Sequence, residues 1–75
     1  MNWQDFIGIT PGVRGGKPCF VGTRITVSDV LEYLASGMSE AQIIADFPAL
    51  RAEHVRAALG FAAERERRLA VSPAV

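Results

Sequence analysis

The segment Gly12–Arg24 combines glycines with cations, the residue types that a phosphate-binding loop requires. Gly15-Gly16-Lys17 invites comparison with the nucleotide-binding loop, in which Gly-Lys-Ser/Thr precedes a helix. The comparison fails because Pro18 follows Lys17, so no hydroxyl is available for magnesium, and because Pro11 stands where the first glycine should be. The predicted helix also starts about ten residues too late to hold a phosphate at its N-terminus. We interpret the segment as a basic loop that contains a tight turn.

The sequence gives little support for a catalytic or a metal-binding site. The single His54 and single Cys19 match no ligand spacing, and no paired carboxylates suit acid–base catalysis. We therefore predict that the protein is not an enzyme and uses neither a cofactor nor a metal ion. Cys19 is predicted to be a small buried or half-buried apolar residue.

Cations at the start of the last predicted helix favour nucleic-acid binding. In a helix-turn-helix, the first turns of the second helix enter the major groove. Arg56 and His54 could reach base edges there, and Arg51 could contact a phosphate, whereas Glu53 opposes binding. Ser39 caps the neighbouring helix, whose N-terminus could also meet a phosphate. The alternative, a charged face that only keeps the helix hydrated, stays open.

A second group of cations lies in the basic loop. It consists of Arg14, Lys17 and Arg24, which have no acidic residue near them in sequence. This group could contact flanking phosphates or an acidic partner protein. It is the local charge separation that DNA binding would need in a chain of zero formal net charge.

The elements that must position these residues follow from hydrophobic periodicity. The pattern predicts a single domain, mainly α-helical, in which a first helix and then a helix-turn-helix follow a short N-terminal β-hairpin or ribbon. The predicted ranges are 6–26 for the ribbon and loop, 27–36, 39–47 and 52–69 for the helices, and 70–75 for a frayed tail.

Helix boundaries are marked by capping residues. Thr26 or Ser28 caps the first helix, and Gly37 ends it in a left-handed conformation. Ser39 with Gln42 forms a capping-box pattern for the second. The third helix is predicted to bury a stripe and to expose a polar face that includes Gly60. The stripe is Val55, Ala58, Leu59, Ala62 and Leu69, and the polar face is Glu53, Arg56, Glu64 and Arg67.

Composition limits the remaining possibilities. The chain has 75 residues, of which 49% are apolar, and a core this small makes association with a second copy a reasonable expectation. Phe61 either contacts that copy or closes the core edge against Trp3 or Phe6. The lone cysteine fits a reducing compartment, and no signal peptide or membrane-spanning run is present. We predict a cytoplasmic protein without a membrane partner.

The combined motifs resemble one family. Gly15-Gly16-Lys17-Pro18, Gly22-Thr23-Arg24-Ile25, Gly37-Met38-Ser39 and Phe47-Pro48, with an alanine-rich last helix, are similar to the small bacterial family catalogued as domain of unknown function four-three-three. The resemblance runs from about Ile7 to Leu69 and implies a homeodomain-like trihelical helix-turn-helix bundle with an N-terminal β-ribbon.

The resemblance also implies a function. Members of the family are often regarded as VapB-type antitoxins, encoded beside a toxin with a PIN-like ribonuclease domain. Such a protein would neutralise its toxin and bind its own double-stranded operator DNA. With the small core and Phe61, we predict that this chain acts as a homodimer. The alternative is a protein–protein interaction module or inhibitor subunit that does not bind DNA. Its Lys17 and Arg24 would engage the acidic metal site of the nuclease.

Overall fold

Three helices follow a short antiparallel hairpin in the computed structural model, which describes residues 2–69. The order is a 3₁₀ turn Trp3–Asp5, strand β1 Ile7–Gly8, a 3₁₀ turn Arg14–Gly16, strand β2 Cys19–Phe20, and helices α1 Val27–Ala35, α2 Glu40–Asp46 and α3 Ala52–Leu69. The mainly helical fold with an N-terminal hairpin is as predicted. The predicted frayed tail 70–75 lies outside the described residues. No helix in the described part of the chain is long and apolar enough to cross a membrane.

The first two helices begin at reciprocal capping boxes. The Thr26 hydroxyl accepts the Asp29 amide N–H, and the Asp29 carboxylate accepts the Thr26 amide N–H. Thr26 is therefore the cap of α1, and Ser28 lies inside the helix. Ser39 and Gln42 form the predicted box at α2. The predicted ranges 27–36 and 39–47 had counted cap residues as helix.

The hairpin is shorter than the predicted ribbon. Ile7 pairs with Phe20 and Gly8 with Cys19, while a single bridge joins Cys19 to Thr26. Most of the segment 6–26 is loop. The hairpin nevertheless places β2 under the helices, so that Phe20 is fully buried and Cys19 nearly so. The prediction that Cys19 is an apolar packing residue is confirmed.

The core is one cluster of buried side chains from the hairpin, the three helices and one connection. Its largest fully buried apolar side chains are Phe20 of β2, Val27 and Val30 of α1, Ile43 of α2, Val55 of α3 and Leu50 of the connection. Leu50 lies in the turn 47–51 between α2 and α3, and it is only 1% exposed. This turn is therefore anchored in the core, which fixes the angle between the two helices.

The buried face of α3 differs from the prediction. Leu59 is 50% exposed and Leu69 is 71% exposed, whereas Ala57 is completely buried. The Trp3–Asp5 turn packs against α3, so this helix is also covered on a side that the periodicity of the sequence does not show. Glu64 also leaves the predicted polar face, because its carboxylate accepts the indole N–H of Trp3 at 3.2 Å.

Candidate nucleic-acid and partner interface

Arg14 of the basic loop is exposed, but its guanidinium is held by two neighbouring groups of the protein. It donates to the carbonyl oxygen of Arg24 at 2.9 Å and lies 3.5 Å from a carboxylate oxygen of Asp29. The Arg14 backbone is left-handed, with φ of 50°. These contacts fasten the loop to the first turn of α1 and compensate one of the three loop cations. Arg14 is therefore a positioning residue, whereas the side chains of Lys17 and Arg24 form no ion pair within residues 2–69.

The Gly22-Thr23-Arg24 motif builds the turn that presents Arg24. The Thr23 hydroxyl donates to the carbonyl of Phe20 at 2.9 Å and accepts the amide N–H of Ile25 at 3.0 Å. Gly22 has φ of 81°, a conformation in which a side chain would be strained. The threonine and glycine thus shape the backbone, and the arginine side chain is left exposed. Within the described residues, neither Lys17 nor Arg24 forms an ion pair.

His54 faces the protein interior. Its Nδ1 accepts the amide N–H of Arg51 at 2.9 Å, which satisfies a free donor at the start of α3. Its ring meets those of Phe6 and Phe20 edge to face, with centroids 5.3 and 5.6 Å away. His54, which was predicted to reach base edges, therefore caps α3 and packs against the two phenylalanine rings. Of the cations at the start of α3, Arg51 and Arg56 remain exposed.

The hydroxyl of Ser39, a predicted phosphate contact, is likewise occupied. It accepts the amide N–H of Gln42 at 3.1 Å in the capping box of α2. The side chain of Gln42 in turn accepts the Ser39 N–H at 2.7 Å. Ser39 is therefore committed to holding a helix of only seven residues.

The solvent face of α3 carries a strip that sequence reasoning had only partly identified. Arg56, Gly60, Ala63 and Arg67 recur at the spacing i, i+4, i+7, i+11, and all four are exposed. We call these four residues the outer strip. Glu53 lies beside it, at its N-terminal edge. The strip places two arginines about 16 Å apart along the helix, with two small residues between them, and the Trp3 side chain lies beside Gly60 at one edge of the strip.

Phe61 packs against the N-terminal turn. Its ring centroid lies 4.9 Å from that of Trp3 in an edge-to-face arrangement. This contact corresponds to the predicted alternative in which Phe61 closes the core edge against Trp3. The guanidinium of Arg65 lies 5.6 Å from the same ring centroid. Phe61 remains half-buried, so part of the ring still faces a groove toward α1.

The cations therefore form two groups on different elements. The loop group is fixed against α1 through Arg14, and the helix group lies at the start and along the outer strip of α3. Among residues 2–69, no cluster of three histidine, cysteine, aspartate or glutamate side chains could hold a metal ion. The arrangement is suited to contacts with acidic or anionic surfaces.

Comparison with known proteins agrees with this architecture. A family model described as "Protein of unknown function (DUF433)" matches residues 7–62. The crystal structure of a DUF433 member protein from Anabaena variabilis is 34% identical in sequence and aligns with a TM-score of 0.79, covering 87% of this chain and 64% of that chain. "Uncharacterized protein y4eO" of Sinorhizobium fredii is 34% identical over 55 residues, which are 73% of this chain and 25% of that protein. The chain thus spans a quarter of this curated relative.

Proposed function

Because the chain belongs to the DUF433 family, whose function is not established, we propose from its surface that it is an antitoxin with two separate contact regions. The outer strip of α3, with Arg51, binds operator DNA. The exposed loop cations Lys17 and Arg24 engage a PIN-like ribonuclease toxin. The loop motifs had predicted this family membership. The nuclease partner is suggested by the family resemblance. The assignment of DNA and nuclease to different regions is suggested by the separate positions of the two cation groups.

The outer strip is the observation that carries the DNA half of the proposal. Arg56 and Arg67 project from the exposed side of a helix that follows a helix and a core-anchored turn. The major groove admits an α-helix, and arginine can donate two hydrogen bonds to a guanine edge there. Arg56 and Arg67 could make such contacts, and Gly60 and Ala63 between them are small. Arg51, at the helix start, is placed for a phosphate contact.

The exposed cations of the basic loop support the second half of the proposal, the contact with a nuclease. PIN-type nucleases hold divalent metal ions with clustered carboxylates, so a cation inserted there competes electrostatically with the metal. Lys17 and Arg24 are exposed, and Arg14 holds the backbone of their loop against α1. A loop fixed in this way loses little conformational entropy on binding.

Single-residue substitutions test the DNA half. We expect Arg56→Ala to weaken binding to a duplex from the promoter of its own gene by about 5- to 150-fold, the loss of one bidentate base contact. Arg68→Ala is the matched control, because Arg68 is exposed on another face and pairs with Glu64 at 3.0 Å. Equal effects of both substitutions in a fluorescence anisotropy titration would contradict the assignment of α3.

Charge reversal in the loop tests the nuclease half. The double variant Lys17→Glu/Arg24→Glu should release the ribonuclease activity of the toxin encoded beside this gene while operator binding is retained. The pair Arg51→Glu/Arg56→Glu should show the opposite pattern. Unchanged inhibition by the loop variant would remove this half of the proposal.

A second candidate is an inhibitor subunit that does not bind DNA. The zero formal net charge and the compensation of Arg14 by Asp29 favour it, because both reduce attraction to phosphates. It predicts that Arg51→Glu/Arg56→Glu leaves every activity of the protein unchanged.

A further inference from the structure

The second half of α3 is long relative to what it buries. The last buried residue of the helix is Ala58, yet α3 continues to Leu69, about three further turns. Contacts with Trp3 cover one side of this half through Phe61 and Glu64. On the side toward α1, none of residues 2–69 fills the space beside the helix. Since short helical segments gain most of their stability from packing an apolar face, this open side is suited to a partner.

An apolar groove occupies that side. It has a volume of about 540 Å³ and lies between the start of α1 and the second half of α3. Leu31 and Phe61 line it, and Leu69 lies at its end with 71% of its surface exposed. Arg65 and Glu66 are the charged lining residues, one of each sign.

We propose that a second copy of this chain fills the groove, with the two α3 helices packed antiparallel along their C-terminal halves. A two-fold interface uses the same surface on both subunits, so one patch must supply both the protruding and the receiving part. This patch does so, because Leu69 protrudes beside a groove of suitable apolar lining. Leu69 of each copy lies against Phe61 and Leu31 of the other.

Charge complementarity supports this occupant. Arg65 and Glu66 are adjacent in sequence, so a two-fold axis between the antiparallel helices brings Arg65 of one copy to Glu66 of the other, twice over. Within the described residues, neither side chain forms an ion pair in the single chain. A parallel arrangement would set like charges against each other. The groove and the outer strip lie on different faces of α3, so the dimer leaves the outer strip exposed.

Sedimentation equilibrium tests the dimer. The full chain should have twice its monomer mass of 8.1 kDa, and Leu69→Glu should raise the dimer dissociation constant roughly ten-fold or more. Leu59→Glu is the matched control, because Leu59 is an exposed leucine of the same helix outside the groove. A monomeric wild-type chain, or equal effects of the two substitutions, would overturn the proposal.

A charge exchange gives a second, independent readout. Arg65→Glu and Glu66→Arg should each weaken the dimer, and the double variant Arg65→Glu/Glu66→Arg should restore it. Failure of the double variant to recover dimerisation would overturn the antiparallel arrangement. Circular dichroism of each variant establishes that it is folded. The molecular mass of the protein is measured without DNA or toxin, so a failure of the dimer can be distinguished from a failure of the proposed function.

Discussion

His54 illustrates how one side chain can satisfy a structural need where a functional role was expected. Its Nδ1 accepts the Arg51 N–H at 2.9 Å, and its ring lies against Phe6 and Phe20. An N–H at a helix start that loses its partner must find water or remain unpaired. His54 thus links the first turn of α3 to the hairpin and positions the neighbouring arginines.

Replacing His54 should therefore destabilise the protein. We expect His54→Ala to lower the free energy of unfolding by about 1–2 kcal/mol, from the lost cap and the lost aromatic contacts. Urea denaturation followed by circular dichroism measures this. Glu53→Ala, an exposed neighbour in the same turn, is the control. An unchanged unfolding midpoint would contradict the capping role.

Gly60 offers a change in the opposite direction. A Cβ built at this position would meet Trp3 atoms at 3.7 and 3.9 Å, which are ordinary van der Waals distances. Because glycine in a helix interior costs up to about 1 kcal/mol relative to alanine, Gly60→Ala should raise the stability by that order. Thermal unfolding measures the gain. A lower melting temperature would mean that the Trp3 contact cannot accept a methyl group.

At the scale of elements, the N-terminal turn sets the packing of α3. Trp3 contacts Phe61 at 4.9 Å between ring centroids and donates to Glu64 at 3.2 Å. These contacts cover one side of α3, while Leu59 on another side is 50% exposed. The packing of α3 therefore includes residues at the opposite end of the chain.

Removing Trp3 should loosen α3 locally. We expect Trp3→Ala to cost about 1–3 kcal/mol, at the lower end for an aromatic truncation because the residue is only half-buried. Amide hydrogen exchange should accelerate most in the second half of α3. Gln4→Ala, an exposed substitution in the same turn, should leave exchange unchanged. Uniform acceleration throughout the chain would contradict the local role.

Elements with local causes could be predicted from the sequence. The boxes at Thr26 and Ser39 each depend on a residue three positions away, so the sequence displays the whole interaction. The Trp3–Glu64 contact spans 61 positions, and no periodicity within α3 reveals it. The burial of Leu50 was not predicted for a related reason. A single apolar residue in a turn belongs to no hydrophobic repeat that would mark it as part of the core.

The residues of the candidate site also differ in how far the sequence could predict them. Residue type and spacing identified the exposed cations Arg51, Arg56, Lys17 and Arg24. They could not show that Arg14, Ser39 and His54 are occupied within the fold, because their partners are set by loop conformation, capping geometry and tertiary packing.

For the whole molecule, zero net charge makes the distribution of charge decisive. Eight cations and eight carboxylates cancel in sum, but the outer strip of α3 holds Arg56 and Arg67 on one exposed face. DNA binding by such a surface draws its affinity from released counterions, and it weakens as salt rises. If the proposed surface binds DNA, the salt dependence of its affinity counts the phosphates in contact.

The most direct test of the central claim, that α3 carries a DNA-binding surface, is an anisotropy titration of the wild-type chain with its own promoter duplex across a salt series. We expect binding at low salt, preference over a random duplex of equal length, and a logarithmic slope near −0.9 for each phosphate contacted. An absence of binding at low salt, or an affinity independent of salt, would contradict a DNA-binding surface on α3.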